Sequence, residues 1–118
     1  MGKYGFSKED RLRRAFEFER VRSRGERRRT NHLSFCVWRR DDSPLRLGIS
    51  VGRGVGGAVK RNWLKRRIRE FFRLNRQAFG FSGDVIVSGL GNRGLVRGTE
   101  LAIELKKGFQ ARGGRGQV

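Results

Sequence analysis

A chain of 118 residues holds one modest domain, and 36% hydrophobic residues, with nine Phe and two Trp, supply a small core for it. Its 29 Lys and Arg against 11 Asp and Glu leave a formal charge of +18, which calls for a polyanionic partner. One Cys and one His exclude an intrachain disulfide and a zinc centre of four Cys/His ligands. No apolar run approaches the ~18 residues of a membrane span, and the first ten residues lack a signal peptide's apolar stretch. A cytoplasmic protein with no membrane partner is expected.

Ser7 to Arg22 predicts a first helix, with Ser7 as N-cap, Glu9 and Asp10 in the first turn and Gly25 just beyond the end. Leu12 and Phe16 share a face, whereas Phe18 lies roughly 200° from Phe16 and aligns with Ala15 and Val21. The arginines between Arg11 and Arg29 are diluted by Glu17, Glu19 and Glu26, the pattern of a solvated helix with internal pairing. Leu33 to Trp38 reads as a strand with Phe35 and Val37 on one face and Cys36 and Trp38 on the other. After a polar turn, Leu45 to Val51 forms a second strand, and the short link predicts an antiparallel hairpin of the two.

A glycine-rich turn, Gly52 to Gly57, leads into a long helix expected over Ala58 to Phe79. Leu64, Ile68, Phe71 and Phe72 gather into a core stripe. Asn62, Lys65, Arg66, Arg69, Arg73 and Arg76 occupy a separate arc, and from Ser43 to Gly83 the only acid is Glu70. Asp84 to Ser88 is an apolar strand, so strand, helix and strand make a β-α-β unit with parallel pairing. A loop from Gly89 to Gly98 precedes a last helix over Thr99 to Lys107, with Leu101, Ala102 and Leu105 inward. Residues 1–109 are expected to form one α-β domain, and the Gly/Arg-rich tail 110–118 to be disordered.

Gly52, Gly54 and Gly57 fit the spacing of a dinucleotide-binding turn, but the only nearby acid, Glu70, falls inside the helix rather than at the end of a next strand, and no Lys-Ser/Thr follows to grip a nucleotide. The turn is suited instead to a nucleic-acid phosphate, with Arg53 in it and a helix N-terminus behind it. Clustered carboxylates and a His general base are absent from the sequence pattern, so any nuclease chemistry belongs to a partner. The basic arc is the strongest signal, because a one-sided stripe of Lys and Arg can follow a phosphate backbone. Trp63 is placed to stack on Arg67. Phe18 and Trp38 either line a groove for unstacked bases or are buried under the last helix.

The run Arg61-Asn62-x-x-Lys65-Arg66-x-Ile68-Arg69, preceded by Leu47-Gly48-Ile49-Ser50-Val51 and the glycine turn, resembles the signature of the bacterial ribonuclease P protein subunit. The likeness continues through Phe18-x-x-Val21 and Gly25, Phe35 to Trp38, and Asp84-Val85-Ile86-Val87, covering most of the chain from Leu12 to Phe109. The resemblance implies an α+β fold: a two-layer α-β sandwich with a mixed, roughly four-stranded sheet. Its long basic helix would sit in a left-handed β-α-β crossover, as in a domain of a small-subunit ribosomal protein.

It further implies a subunit of an endoribonuclease holoenzyme whose catalysis resides in RNA. The protein would bind that RNA and the 5′ leader of precursor tRNA, and assist Mg²⁺-dependent removal of the leader. No catalytic residue, organic cofactor or obligate protein partner is implied, and Mg²⁺ would be held mainly by the RNA. Arg53, Arg61, Asn62, Lys65, Arg66 and Arg69 match RNA-binding positions, and Phe18 and Trp38 match a leader-binding cleft. Trp63, Arg22 and Gly54 depart from the family's usual Arg, aromatic and Lys. A general RNA- or DNA-binding domain such as a ribosomal protein is the alternative, and a nucleotide-dependent enzyme rests on the glycines alone.

Overall fold

A computed structural model describes residues 10–76, 79, 82–91, 96 and 98–110. The described elements run α1 (Ala15–Arg24), β1 (Glu26–Arg29), β2 (Leu33–Arg39), β3 (Arg46–Ser50), α2 (Ala58–Asn75), β4 (Gly83–Gly89) and α3 (Gly98–Gln110), with a short 3-10 turn at Arg53–Val55. The four strands form one mixed sheet in the order β1-β2-β4-β3. β1 and β2, and β2 and β4, pair antiparallel, while β3 and β4 pair parallel across the α2 crossover.

Alternation along the strands divides the core in two. Leu33, Phe35 and Val37 of β2, with Leu47, Val85 and Val87, face α2 and α3, where Leu64, Ile68, Phe72, Leu101, Leu105 and Phe109 complete the main cluster. Phe109 stacks on Phe79 with centroids 4.4 Å apart and meets Phe35 edge-on at 5.6 Å, which ties α3 to the end of α2 and to the sheet. Cys36 and Ile86 point to the opposite face, where Leu12 and Val21 cover them and Phe18 and Trp38 pack against the edges. The expected split of Phe35 and Val37 from Cys36 and Trp38 therefore holds.

The predicted hairpin does not form, because β4 inserts between β2 and β3. Its Val85-Ile86-Val87 run is buried on both faces, and a strand apolar on both faces belongs at the centre of a sheet. β1 is not foreseen, because Glu-Arg-Arg-Arg contains no apolar residue; it is an edge strand held by its ladder to β2 and by the Thr30 N–H donating to Leu33 O at 2.9 Å.

The first helix begins eight residues later than expected, at Ala15 rather than Ser7. Ser7 and Glu9 lie outside the described residues, and before α1 the chain runs beside β3, with the Leu12 N–H donating to Leu47 O at 2.9 Å. Glu17 fixes the start: its Oε1 accepts the backbone N–H of Arg13 at 2.8 Å and of Arg14 at 3.0 Å. In consequence Leu12 is buried while Phe16 is exposed, so the two do not share a core face.

α2 ends at Asn75, short of Phe79, where Arg76 turns to donate to Leu45 O at 3.0 Å and to Asp10. Residues 77 and 78 lie outside the described residues, and Phe79 is buried in the main core against Phe71, Phe72 and Phe109. α3 is longer at both ends than expected, and Ala102 faces out while Leu101, Glu104 and Leu105 face in. Of the tail, residues 111–118 lie outside the described residues.

Candidate nucleic-acid interface

α2 presents two sides. Leu64, Ile68 and Phe72 are buried, and Asn62, Lys65, Arg66, Arg69 and Arg73 line the side roughly 100° round the helix from them. Asn62 and Arg66 are exposed, and Lys65, Arg69 and Arg73 half-buried. Glu70, the only acid of the helix, is held by Arg73 at 2.9 Å. Among the described residues no carboxylate forms an ion pair with Lys65, Arg66 or Arg69, so their charge is available to a polyanion.

Arg61 stands apart from this side. At its place on the wheel it lies beside the buried line, and its Nε donates to Gly56 O at 3.1 Å, which clamps the turn against the first turn of α2. Arg53 is exposed in the 3-10 turn just before the helix. No side chain caps α2 at Gly57, which leaves first-turn N–H groups and the positive dipole end beside Arg53. The glycine spacing has a packing cause: a Cβ at Gly54 would lie 3.0 Å from the Cα of Gly91, so the two loops touch backbone to backbone. Trp63 lies half-buried against the core with the Arg67 guanidinium 5.8 Å from its ring, as the spacing predicts.

Phe18 and Trp38 lie across the sheet from α2. α3 packs on the Phe35 face, so the alternative that the last helix covers Trp38 does not hold; α1 occupies that face instead. Gly48 makes room for it, since a Cβ there would come within 2.9 Å of the Phe18 ring and 3.0 Å of Leu12. At about 100° per residue, Phe18 and Arg22 fall on one flank of the buried Val21, and Glu17 and Arg24 on the other. α1 thus separates the two rings. Phe18, half-buried, carries the Arg22 guanidinium 5.7 Å from its centroid. Trp38 lies between Arg24 at 5.5 Å and Arg40 at 4.6 Å.

The Trp38 flank rests on a charge network that sequence reasoning missed. Asp84, buried on β4, accepts from Arg46 Nε at 3.0 Å and Nη2 at 3.2 Å, and from Arg40 Nη1 at 3.3 Å. Arg46 also reaches Glu17 of α1 at 3.3 Å. Hydrogen bonding to Asp84 raises the Arg46 pKa above its ordinary value against the cost of burial. The signal available was Asp84 itself, a lone acid heading an apolar strand, which burial obliges to find a cation. Glu17, expected to dilute the α1 arginines, is committed to this network and to capping.

Burial pushes the Glu17 carboxyl up, but the N–H groups of Arg14 and Arg13 and the Arg46 guanidinium outweigh it and hold its pKa below 4.5. Because the folded value is depressed, the stability Glu17 contributes is complete above the ordinary Glu range and is lost as pH falls through the folded value. Glu17→Gln should cost about 1 kcal/mol at neutral pH. Its denaturation midpoint should also fall less steeply than that of the parent below the ordinary Glu pKa; parallel curves would remove Glu17 from this role. Burial raises the Cys36 pKa, with Arg27 and Arg22 opposing weakly, and its thiol donates to Val21 O, so it is a packing residue rather than a nucleophile.

The family model for ribonuclease P matches residues 6–112. The ribonuclease P protein component of Syntrophus aciditrophicus is 36% identical, covering 89% of this chain and 88% of the relative. That of Desulforapulum autotrophicum is 31% identical over 93% of this chain and 94% of its own. In fold the chain is similar to the RNase P protein of Staphylococcus aureus, with TM-score 0.76 at 23% identity over 87% of this chain and 94% of that one. It is similar too to the RNase P protein of Thermotoga maritima, with TM-score 0.73 at 26% identity over 86% and 96%.

Proposed function

The chain belongs to the ribonuclease P protein family, a protein component that partners ribonuclease P RNA in an endoribonuclease, and from that premise we propose how its two faces divide the work. The α2 side carrying Asn62, Lys65, Arg66 and Arg69, with Arg53 and the free nitrogens of Arg61 at its N-terminal end, binds the catalytic RNA. The observation that carries this is a helix side whose lysine and arginines have no carboxylate partner among the described residues. Binding there releases counterions and screens the repulsion between two RNA chains brought together. The α1 face, with Phe18 and Trp38, receives the single-stranded 5′ leader of precursor tRNA. The family match displaces a ribosomal-type binding domain, and the Gly54–Gly91 contact gives the glycine spacing a packing role that needs no nucleotide.

Mg²⁺ would supply Lewis-acid activation of water for hydrolysis of the leader bond. The α2 side offers it guanidinium and ammonium groups and only Glu70, which is already paired with Arg73; this supports RNA phosphates rather than this side of the helix as its ligands. The proposed setting, as the resemblance implies, is the cytoplasm. Separately, no described helix is long and apolar enough to cross a membrane.

Because α1 stands between the rings, Phe18 and Trp38 would meet different parts of the leader rather than sandwich one base. The Arg22 guanidinium over Phe18 offers a second planar surface on which a base can stack. Phe18→Ala should weaken binding of precursor tRNA to the protein–RNA complex by ~1 to 3 kcal/mol and leave leaderless tRNA unchanged. Equal losses for both tRNAs would contradict the assignment of this face to the leader.

A further inference from the structure

The β1–β2 turn and α3 bring together three groups that neither RNA face uses. His32 lies in the turn, and Glu100 and Glu104 are one turn apart on α3, so their carboxylates share a side of the helix. A ring nitrogen of His32 and an oxygen from each carboxylate all lie within 4.8 Å of one another. Glu104 is 3% exposed and already oriented, since its Oε1 accepts the Thr30 hydroxyl and, at 2.8 Å, the His32 backbone N–H. Its Oε2 faces His32 Nδ1 at 2.6 Å. Glu100 is exposed at the open side.

We propose that His32, Glu100 and Glu104 form a binding site for a divalent transition-metal ion of the zinc class. One imidazole and two carboxylates make the three-ligand set that such an ion takes while keeping a position for water. Mg²⁺ and Ca²⁺ prefer all-oxygen shells, so the imidazole argues against them. The bonds to Glu104 Oε1 act as a supporting layer that fixes the carboxylate and turns Oε2 toward the ion.

With metal–ligand bonds of about 2.0 to 2.1 Å, tetrahedral ligand atoms lie roughly 3.3 Å apart. The ion therefore enters by opening the His32–Glu104 hydrogen bond by under about 1 Å, while the exposed Glu100 swings in. It would tie α3 to the β1–β2 turn by a stronger link than the hydrogen bond it replaces. The chain has one His and one Cys, and Cys36 is buried on the sheet face away from α3, so binding that needs an imidazole reports on this site alone.

The test uses the full, untagged chain without RNA. Zn²⁺ titrated in a calorimeter should bind at one ion per chain, and Co²⁺ should develop visible absorption bands of a nitrogen- and oxygen-ligated ion. Glu100→Gln should weaken Zn²⁺ binding roughly tenfold or more, by the usual scale for disturbing a metal site. Glu100 is exposed, so that variant should keep the metal-free melting temperature of the parent, and Zn²⁺ should raise the melting temperature of the parent more than that of the variant. His32→Gln should abolish the Co²⁺ bands. Absence of Zn²⁺ binding, or binding that Glu100→Gln and His32→Gln leave unchanged, would overturn the site and leave the cluster as a hydrogen-bonded latch. RNA affinity, read separately, bears on the α2 assignment and not on this one.

Discussion

Lys65→Ala combined with Arg69→Ala is expected to weaken binding to ribonuclease P RNA and to lower the slope of log affinity against log salt by about one unit for each phosphate left without its cation. The two residues lie one helical turn apart on the half-buried side of α2, and neither forms an ion pair among the described residues. Their replacement therefore removes charge without breaking a network, and the melting temperature should stay close to that of the parent. Arg73, which lines the same side and holds Glu70, is a useful comparison: Arg73→Ala both removes a cation and leaves Glu70 without that partner, and should weaken binding. An unchanged salt slope for the double variant would show that the α2 side does not meet phosphate.

Asp84→Ala should be the most destabilising single change at the α1 face. Its side chain is 2% exposed and satisfies two arginines, and breaking a buried pair by removing one partner costs about 3 to 5 kcal/mol. Arg46 and Arg40 retain 20% and 24% exposure, so water can reach the guanidiniums and the loss should fall near the lower end of that range. The same change releases Arg46 from its position under Glu17 and so loosens α1, which carries Phe18. Unfolding in urea measures the first effect and leader affinity the second. A stability loss below about 1 kcal/mol would mean that the network contributes little beyond what solvent provides.

What the sequence made legible follows from which interactions are periodic. The α2 stripe, the parallel β3–β4 crossover and the two faces of β2 were visible because burial repeats along each element. The strand order was not, because it depends on β4 being apolar on both faces and therefore central, a comparison between strands rather than within one. β1 left no mark, since an edge strand of Glu and Arg is specified by the ladder of its neighbour. The start of α1 was misplaced because Leu12 prefers the edge of β3 to the helix that Ser7 and Glu9 suggested, and Glu17 supplies the cap from inside.

The basic arc, the turn with Arg53 and the pairing of Phe18 with Trp38 were legible from spacing, the resemblance added Arg61 and joined them into one set, and the structure distributes them unequally. Asn62, Lys65, Arg66 and Arg69 share one side, Arg61 is partly committed to Gly56, and Phe18 and Trp38 are parted by α1. A lone acid in a basic chain proved the more informative signal. Asp84 and Glu17 organise the α1 face, and Glu104 organises the turn between β1 and β2.

The central claim is that this chain lends charge to an RNA catalyst. It is tested most directly by cleavage of precursor tRNA by ribonuclease P RNA at Mg²⁺ concentrations too low for the RNA alone, with and without the protein. Cleavage should be restored by the parent chain and substantially less by the Lys65→Ala, Arg69→Ala variant. No stimulation by the parent, or equal stimulation by the variant, would contradict the account.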